Sequence, residues 1–210
     1  MSGRLFVIAA PSGAGKTSLV KAALEREPNL RVCISHTTRV RRANEVDGHD
    51  YHFVSVEQFK DMIAADAFLE YAPVFDNVYG TSRAALEEAF GRGHDVILEI
   101  DWQGAKQVRE RTRDPATGKS GCISIFVLPP SRAELERRLR GRGTDSESVI
   151  ARRLSDAVND MGHHGEFDYV IVNQNFDRAV SDLLCVVAGD AQNLSGGRAS
   201  LAPLLSDLLA

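Results

Sequence analysis

The chain has 210 residues, 43% of them hydrophobic and 26% charged, so it can bury the core of one globular domain and is too apolar to be disordered throughout. Its formal net charge of −4 argues against nucleic-acid or membrane binding as its general role. Cys33, Cys122 and Cys185 lie at no metal-ligand spacing, and we identify neither a signal peptide nor a spanning apolar stretch, which predicts reduced thiols and a cytoplasmic location.

Apolar spacing, together with the positions of glycine and proline, predicts alternating strands and helices along most of the chain. In order these are strand 5–9, helix 16–27, strand 32–34, a helix capped by Ser55, strands 68–75 and 78–81, helix 82–92, strands 96–101 and 123–128, helices 131–140 and 147–161, strand 169–172 and helix 178–187. Ser55 with Gln58, and Ser131 with Glu134, have capping-box spacing. The alternation predicts an α/β fold, a parallel sheet with helices on both faces.

The predicted domain organisation follows from where this alternation is interrupted. Residues 36–81 contain short strands and turns, which indicates an inserted small α+β subdomain. We expect one domain over 1–190, with its core at about 1–35, 82–136 and 168–190, the insert at about 36–81 and a mobile lid at about 137–167. Residues 191–210 form a tail in which 194–197 are predicted to be a linker. The apolar end, 201–209, either docks as a short helix or frays, and we favour a frayed, flexible terminus.

A glycine-rich loop lies between the first predicted strand and helix. Its residues are Ser12, Gly13, Ala14, Gly15, Lys16, Thr17 and Ser18. Glycines there let backbone N–H groups point inward at phosphate oxygens, and the helix start adds its positive end. In this strand–loop–helix context Lys16 can bridge the β- and γ-phosphates of ATP and the Thr17 hydroxyl can ligate Mg²⁺. Ala10 stands where the first glycine of the phosphate-loop pattern usually is, yet the nest itself is intact.

Two further features fit phosphoryl transfer. Asp101 closes a buried strand, where it can hold a water on Mg²⁺ or accept a hydrogen bond from a substrate; the alternative is a plain cap for the helix from Trp102. Arg137, Arg138, Arg140 and Arg142 surround Gly141 and Gly143. They are either a solvated basic helix end or, as we favour, a lid that brings arginines onto transferring phosphates.

The suspected insert carries a second set of phosphate and base ligands. Its arginines, from Arg39 to Arg42, can clamp phosphate bidentately, and tyrosine hydroxyls can add hydrogen bonds. A buried Glu70 can accept from the N1–H and N2–H₂ edge of guanine, a donor pair that adenine lacks. The insert therefore predicts a guanine nucleotide as the phosphoryl acceptor.

Along residues 4–188 the chain resembles the guanylate kinases, a family of P-loop nucleoside monophosphate kinases. The matching segments are 10–17 (APSGAGKT), 35–39 (SHTTR), 47–54 (DGHDYHFV), 79–81 (YGT), 99–104 (EIDWQG), 128–131 (LPPS), 140–144 (RGRGT) and 169–173 (YVIVN). The resemblance implies that the guanine is read by Ser35, Glu70, Thr81 and Asp101, and that the GMP phosphate is held by Arg39, Arg42, Tyr51 and Tyr79. It implies that Arg138, Arg142 and Arg153 act from the lid on ATP and the transferring phosphoryl, with Asn173 near the adenine.

The predicted reaction is Mg²⁺-dependent transfer of the γ-phosphoryl of ATP to GMP, giving ADP and GDP, in purine nucleotide metabolism. Lys16, Arg39, Arg138, Arg142 and Arg153 are the predicted catalytic residues; no general base is needed, because the acceptor phosphate is already ionised. ATP and GMP are the expected partners, without nucleic acid or membrane, and oligomeric state is left undecided between monomer and homo-oligomer. Two alternatives stay open: another P-loop kinase, and a non-catalytic protein-binding module.

Overall fold

The structure, a computed structural model, describes residues 3–74, 76–141, 146–191, 194 and 201–210. In chain order the elements are β1 (Leu5–Ala9), α1 (Lys16–Arg26), β2 (Leu30–Val32), β3 (His36–Thr37), β4 (His52–Phe53), α2 (Val56–Ala64), β5 (Phe68–Val74), β6 (Asn77–Ser82), α3 (Arg83–Gly91), β7 (Asp95–Glu99), α4 (Trp102–Arg111), β8 (Cys122–Leu128), α5 (Arg132–Arg140), α6 (Glu147–Gly162), a 3-10 turn (His163–Glu166), β9 (Tyr169–Val172), α7 (Phe176–Ala188) and α8 (Ala202–Leu208). The strands form a five-stranded sheet in the order β2-β7-β1-β8-β9 and a four-stranded sheet in the order β4-β3-β6-β5. The predicted α/β fold is confirmed.

The chain divides into two compact units, and the first comprises 1–7 and 29–123. In this unit β2 pairs in parallel with β7, Leu30 lying opposite Asp95. Asp95 is 7% exposed and binds the Arg4 guanidinium at 2.6 Å. The buried apolar run of β7 made this strand predictable from the sequence, since parallel strands covered on both faces lack polar alternation.

The four-stranded sheet lies in the same unit, over the stretch where the alternation breaks. β5 and β6 form an antiparallel hairpin, β3 pairs antiparallel with β6, and β3 pairs in parallel with β4. Helix α2 begins at the Ser55 capping box, as predicted. The Phe59 and Phe68 rings stack with centroids 4.5 Å apart, and both side chains are buried, so apolar packing under the hairpin holds it in place.

The second unit comprises 8–28 and 124–210. β8 and β9 pair in parallel, with Ile125 opposite Tyr169. Helix α7 buries one apolar face that includes Val180 and Leu183, and it packs against α1. The amphipathic spacing of α7 made this helix predictable. None of the helices in the described part of the chain combines the length and apolar character needed to cross a bilayer.

Several predicted boundaries are corrected by the structure. The second strand is Leu30–Val32 rather than 32–34, and the strand predicted to end at Asp101 ends at Glu99. Ser131 accepts from the Glu134 N–H at 3.1 Å as a helix cap, but the Glu134 carboxylate instead binds two arginines of its own helix. Ion pairing therefore competes successfully with the second half of a capping box.

The preferred expectation of a frayed end at 201–209 is wrong. Residues Ala202–Leu208 form α8, and Leu208 is fully buried. Asp207 Oδ2 accepts from the Arg132 N–H at 3.0 Å, at the start of α5. Burial of one leucine and a carboxylate at a helix N-terminus together favour docking over fraying. Of the predicted linker at 194–197, residues 195–197 lie outside the described residues.

Candidate active site

In the second unit the glycine loop forms the start of α1. Gly13 and Gly15 have φ of 93° and 94°, the left-handed region that glycine enters at little cost. Gly15 is the N-cap of α1, with no side-chain capping bond. The first backbone N–H groups of the helix therefore face the loop as donors, an arrangement suited to an anion such as phosphate.

One carbonyl of the loop accepts two side-chain hydrogen bonds that anchor the loop. Ala14 O accepts from Asn173 Nδ2 at 2.8 Å and from an Arg138 guanidinium nitrogen at 3.3 Å. A Cβ on Gly15 would clash with the Asn173 amide nitrogen. Asn173 is 5% exposed, so in this structure its amide anchors the loop, a role that its predicted place near the adenine did not include.

Arg138 is held by a network of its own. Its Nε donates to Glu134 Oε1 at 2.8 Å, and a terminal nitrogen donates to Asn173 O at 3.2 Å. Glu134 also binds Arg137, and hydrogen bonds from Arg137 and then Arg138 lower the pKa of Glu134 to about 2. The capping-box spacing predicts only a helix-capping role for Glu134. Its spacing of four residues from Arg138 is the sequence signal that indicates the ion pair.

A cavity opens beside the loop. It is lined by Gly15, Ser18, Arg138, Asn173, Gln174 and Phe176. Phe176 is 43% exposed, and an exposed aromatic ring next to an asparagine offers a stacking surface and polar groups for a base. No sequence pattern predicts a role for Gln174 or Phe176, because neither belongs to a motif.

The remaining predicted residues of this unit lie on two helices. Lys16 is the first residue of α1 and is half-buried, whereas Thr17 and Ser18 are exposed in its first turn. Arg153 lies half-buried on α6. Arg142 and Gly143 lie outside the described residues.

In the first unit, Arg39 is the centre of a cluster. Its guanidinium donates to both oxygens of Glu45 at 2.6 and 3.0 Å, and its Nε donates to the Tyr79 hydroxyl at 3.2 Å. Glu45 also accepts from the Arg42 N–H at 2.8 Å. The hydrogen bond from Arg39 lowers the pKa of Glu45. Glu45, which the sequence analysis did not single out, thus presents to Arg39 the bidentate anion geometry that a phosphate would present.

Tyr51 lies against this cluster. Its ring centroid is 5.5 Å from the Arg39 guanidinium carbon and 5.7 Å from the Tyr79 ring. Burial, followed by Tyr79 and Glu99, raises the pKa of Tyr51. The Tyr51 hydroxyl is therefore a neutral donor near neutral pH. The structure thus brings together Arg39, Tyr51 and Tyr79, three of the four predicted phosphate ligands.

The Arg42 side chain is exposed on the same loop, while its backbone N–H donates to the Glu45 carboxylate and its carbonyl accepts from the Glu45 N–H. Ser35 is half-buried immediately before β3, and its carbonyl accepts from the His52 N–H at 2.9 Å. Both residues lie in the unit that carries the cluster, and the charge of Arg42 helps to lower the pKa of Glu45, after the larger effect of the hydrogen bond from Arg39.

A buried carboxylate forms the second feature of this unit. Glu70 is 2% exposed, Thr81 is fully buried, and the Thr81 hydroxyl donates to Glu70 Oε1 at 2.6 Å. The two residues lie opposite each other on β5 and β6. A Cβ on Gly104 would lie 2.5 Å from Glu70 Oε2 and 3.3 Å from Asp101 Oδ1. Gly104 therefore leaves the space that the Glu70 carboxylate occupies, and any larger residue there would displace this carboxylate.

Asp101 is the N-cap of α4, because its Oδ1 accepts from the Gly104 N–H at 2.8 Å. The capping alternative is thus realised for this oxygen. The cap fixes the carboxylate in one orientation, which is compatible with either a substrate contact or a metal-bound water.

The donor set suits Mg²⁺ held mainly by a nucleotide. Within the described ranges no cluster of three or more His, Cys, Asp or Glu side chains is placed to hold a metal. Mg²⁺ keeps several waters and commonly takes one or two protein oxygens plus phosphates. The exposed Thr17 hydroxyl in the first turn of α1 fits that minimal protein share.

Comparisons with known proteins agree with this geometry. A family model described as guanylate kinase matches residues 2–188. The chain is 51% identical over 207 residues to a guanylate kinase of Chromohalobacter salexigens, covering 99% of this chain and 93% of that one. It is 49% identical over 210 residues to that of Escherichia coli K12, covering 99% and 98%. A crystal structure of guanylate kinase from Anaplasma phagocytophilum matches with a TM-score of 0.71 and 31% identity, over 91% of this chain and 87% of that one.

Proposed function

The chain belongs to the guanylate kinase family, and from this premise we propose that it transfers the γ-phosphoryl of ATP to GMP, giving ADP and GDP. The observation that supports GMP as the acceptor is the presence, within one unit, of both an arginine–tyrosine cluster and a buried carboxylate. Arg39 and Tyr79 supply donors for a phosphate, and the Glu70–Thr81 pair supplies acceptors for a base.

The acceptor phosphate binds at Arg39, with Tyr51, Tyr79 and Arg42. Arg39 already binds a carboxylate through two of its N–H groups. Its guanidinium is therefore already oriented for bidentate binding of an oxyanion. When GMP binds, its phosphate takes the place of Glu45 at Arg39 and carries more charge. The exposed Arg42 side chain is close to Arg39 in sequence and can bind the same phosphate. The presence of Glu70 and Thr81 in the same unit supports the assignment of Arg39 to GMP rather than to ATP.

The guanine is read by Glu70, with Ser35, Thr81 and Asp101. Guanine offers N1–H and N2–H₂ as adjacent donors, whereas adenine places an acceptor at N1. A buried carboxylate that lacks its ligand's hydrogen bonds is costly, which makes Glu70 reject bases without those donors. Thr81 holds one oxygen of Glu70 and so orients the carboxylate.

ATP phosphates bind at the glycine loop, where backbone N–H groups and Lys16 meet them. Mg²⁺ would be held by the Thr17 hydroxyl and the phosphates, with Asp101 acting through water, on guanine, or on both; when bound, the ion neutralises phosphate charge. Arg138 and Arg153, with Arg142, add positive charge to the transferring group from the proposed lid, 137–167. Asn173 and the cavity beside Gly15 accept the adenine.

Transfer needs no protein base, because the attacking oxygen belongs to an ionised phosphate. Positioning and charge neutralisation remain as the sources of catalysis. Arginine suits this task because it stays protonated at every relevant pH. Closure of the insert and the lid on both substrates would exclude water and suppress ATP hydrolysis. A reducing cytoplasm and purine nucleotide metabolism are the setting proposed for this reaction.

A coupled assay with Mg-ATP and each of GMP, AMP, CMP and UMP tests the proposal. We expect turnover with GMP at least about 10²-fold above that with the others, since unsatisfied buried polar groups reject wrong bases by such factors. Glu70→Gln should lower kcat/KM for GMP, while Glu87→Gln, at an exposed position of α3, should leave it unchanged. Equal turnover of AMP and GMP would remove Glu70 as the base reader, and no turnover at all would favour a binding module.

A further inference from the structure

Helix α4 is joined to strand β5 by side-chain hydrogen bonds for which the proposed reaction gives no direct reason. β5 stands at the end of the order β4-β3-β6-β5, and α4 packs along it. The outer edge of such a strand presents backbone N–H and C=O groups that need partners other than a neighbouring strand. Two side chains of α4 provide these partners at three positions of β5.

The first is Gln107, whose amide pairs with the backbone of Tyr71. The Tyr71 N–H donates to Gln107 Oε1 at 3.2 Å, and Gln107 Nε2 donates to Tyr71 O at 2.7 Å. One side-chain amide thus replaces both hydrogen bonds that a residue of an adjacent strand would exchange with Tyr71. Gln107 is half-buried, which protects the pair from competition with water.

The second is Arg111, which holds a β-bulge. One guanidinium nitrogen donates to Phe68 O and to Leu69 O, each at 2.9 Å. The register between β5 and β6 shifts there: Phe68 lies opposite Ser82 and Glu70 opposite Thr81, so Leu69 is the extra residue. A bulge re-aims the side chains beside it and leaves a backbone group without its ladder partner. Arg111 supplies a donor to that group.

Glu70 lies between these two anchors. Arg111 fixes the two residues before it and Gln107 fixes the residue after it. Gly104, seven residues before Arg111 on α4, is the position at which a Cβ would meet the Glu70 carboxylate. Because residues three, four and seven apart share a helix face, one face of α4 both receives the Glu70 side chain and holds its backbone.

We propose that Gln107 and Arg111 are positioning residues for guanine recognition, acting through the β5 bulge on the direction of the Glu70 carboxylate. The inference rests on the proposed function. The two side chains touch no substrate; they set where the acceptor oxygens lie, and a shift of the backbone at 69–71 would misplace both oxygens relative to N1–H and N2–H₂.

The test combines Gln107→Leu and Arg111→Met with Lys106→Met as the matched control, since Lys106 is exposed on the same helix. Each of the first two should raise KM for GMP about tenfold, the effect of losing roughly one well-placed hydrogen bond, and leave KM for ATP unchanged. The preference for GMP over inosine monophosphate, which lacks the exocyclic amino group, should fall in parallel. Lys106→Met should change neither quantity.

A double-mutant cycle separates positioning from general destabilisation. In a Glu70→Gln background Gln107→Leu should add less than about a twofold rise in KM for GMP, because the two residues act on one interaction. Thermal unfolding of each variant reports whether it folds, and if Gln107→Leu does not, Arg111→Met carries the same cycle.

An undiminished effect in the Glu70→Gln background, equal rises in KM for ATP and GMP, or an unchanged preference over inosine monophosphate would overturn the inference while GMP kinase activity of the wild type stands. A wild type that does not phosphorylate GMP would instead overturn the proposed function, and the inference with it.

Discussion

The two units of the chain build their proposed anion sites in different ways. The glycine loop of the second unit uses backbone N–H groups, shaped by two residues at positive φ, Gly13 and Gly15. The Arg39 cluster of the first unit uses side chains, with Arg39 held between Glu45 and Tyr79. The backbone site occupies seven consecutive residues, whereas the side-chain site draws on β6 and on the segment between β3 and β4.

This difference decides what each site can discriminate. Backbone N–H groups at a helix start attract any phosphate, so the loop selects a chemical group. Side chains such as Glu70 present an arrangement of acceptors that only some bases match. The contrast predicts that changes in the second unit affect turnover of every acceptor alike, and that changes in the first unit affect GMP more than ATP.

The largest expected effect comes from Lys16→Met. Loss of the one cationic side chain of the loop should reduce kcat by about 10³-fold, since a preorganised charge on a transferring phosphoryl has that weight. The coupled assay with Mg-ATP and GMP measures it. Lys21→Met is the matched control, because Lys21 is exposed on the same helix, and thermal unfolding should be similar for both. A fully active Lys16→Met enzyme would break the assignment of the loop to ATP.

An intermediate effect is expected for Arg39→Ala. It should raise KM for GMP about 30-fold, the loss of charge-assisted hydrogen bonds to a phosphate, and leave KM for ATP nearly unchanged. Steady-state kinetics with each substrate varied in turn measure the split. Arg41→Ala, in an exposed neighbour of the same loop, is the control. Equal rises in the KM values for GMP and ATP would contradict the assignment of the two substrates to different units.

The smallest expected effect concerns acid stability and Glu134. Its pKa lies at about 2, below the usual 4.5, because of hydrogen bonds from Arg137 and Arg138. A depressed pKa gives stability that is present above pH 4.5 and lost as the pH falls towards 2. The unfolding temperature of Glu134→Gln should therefore decline less steeply over this window than that of the wild type. Glu25→Gln, at an exposed position of α1, is the control; identical slopes for wild type and Glu134→Gln would contradict the ion pair.

Most of the fold was predictable because its signals are local. The apolar runs of β1, β8 and β9 and the Ser55 capping box were assigned from the sequence and are present. Element ends were less predictable: the strand at 32–34 begins two residues earlier, at Leu30, because pairing with β7 decides where a strand starts. Docking of α8 depends on Leu208 and Asp207 finding partners elsewhere in the unit, which no local pattern encodes.

The residues missed by sequence analysis share one property. None of them belongs to a contiguous motif, and no sequence pattern connects them to the residues around them in the fold. They are Glu45, Gln107 and Phe176. Gln107, for example, bonds to Tyr71, 36 positions away. Such pairs become visible only when the backbone has placed them together.

The sequence by itself determined which groups are available for the proposed chemistry. These are a glycine loop with Lys16 and Thr17, and a set of arginine, tyrosine and glutamate side chains suited to a second nucleotide. Tertiary structure alone decided how those groups are held. It brought the Thr81 hydroxyl to Glu70, the Glu45 carboxylate to Arg39 and the Asn173 amide to the Ala14 carbonyl of the loop. The physical reason is that a loop motif encodes backbone conformation locally, whereas the direction of a buried side chain is set by partners that folding brings from elsewhere in the chain.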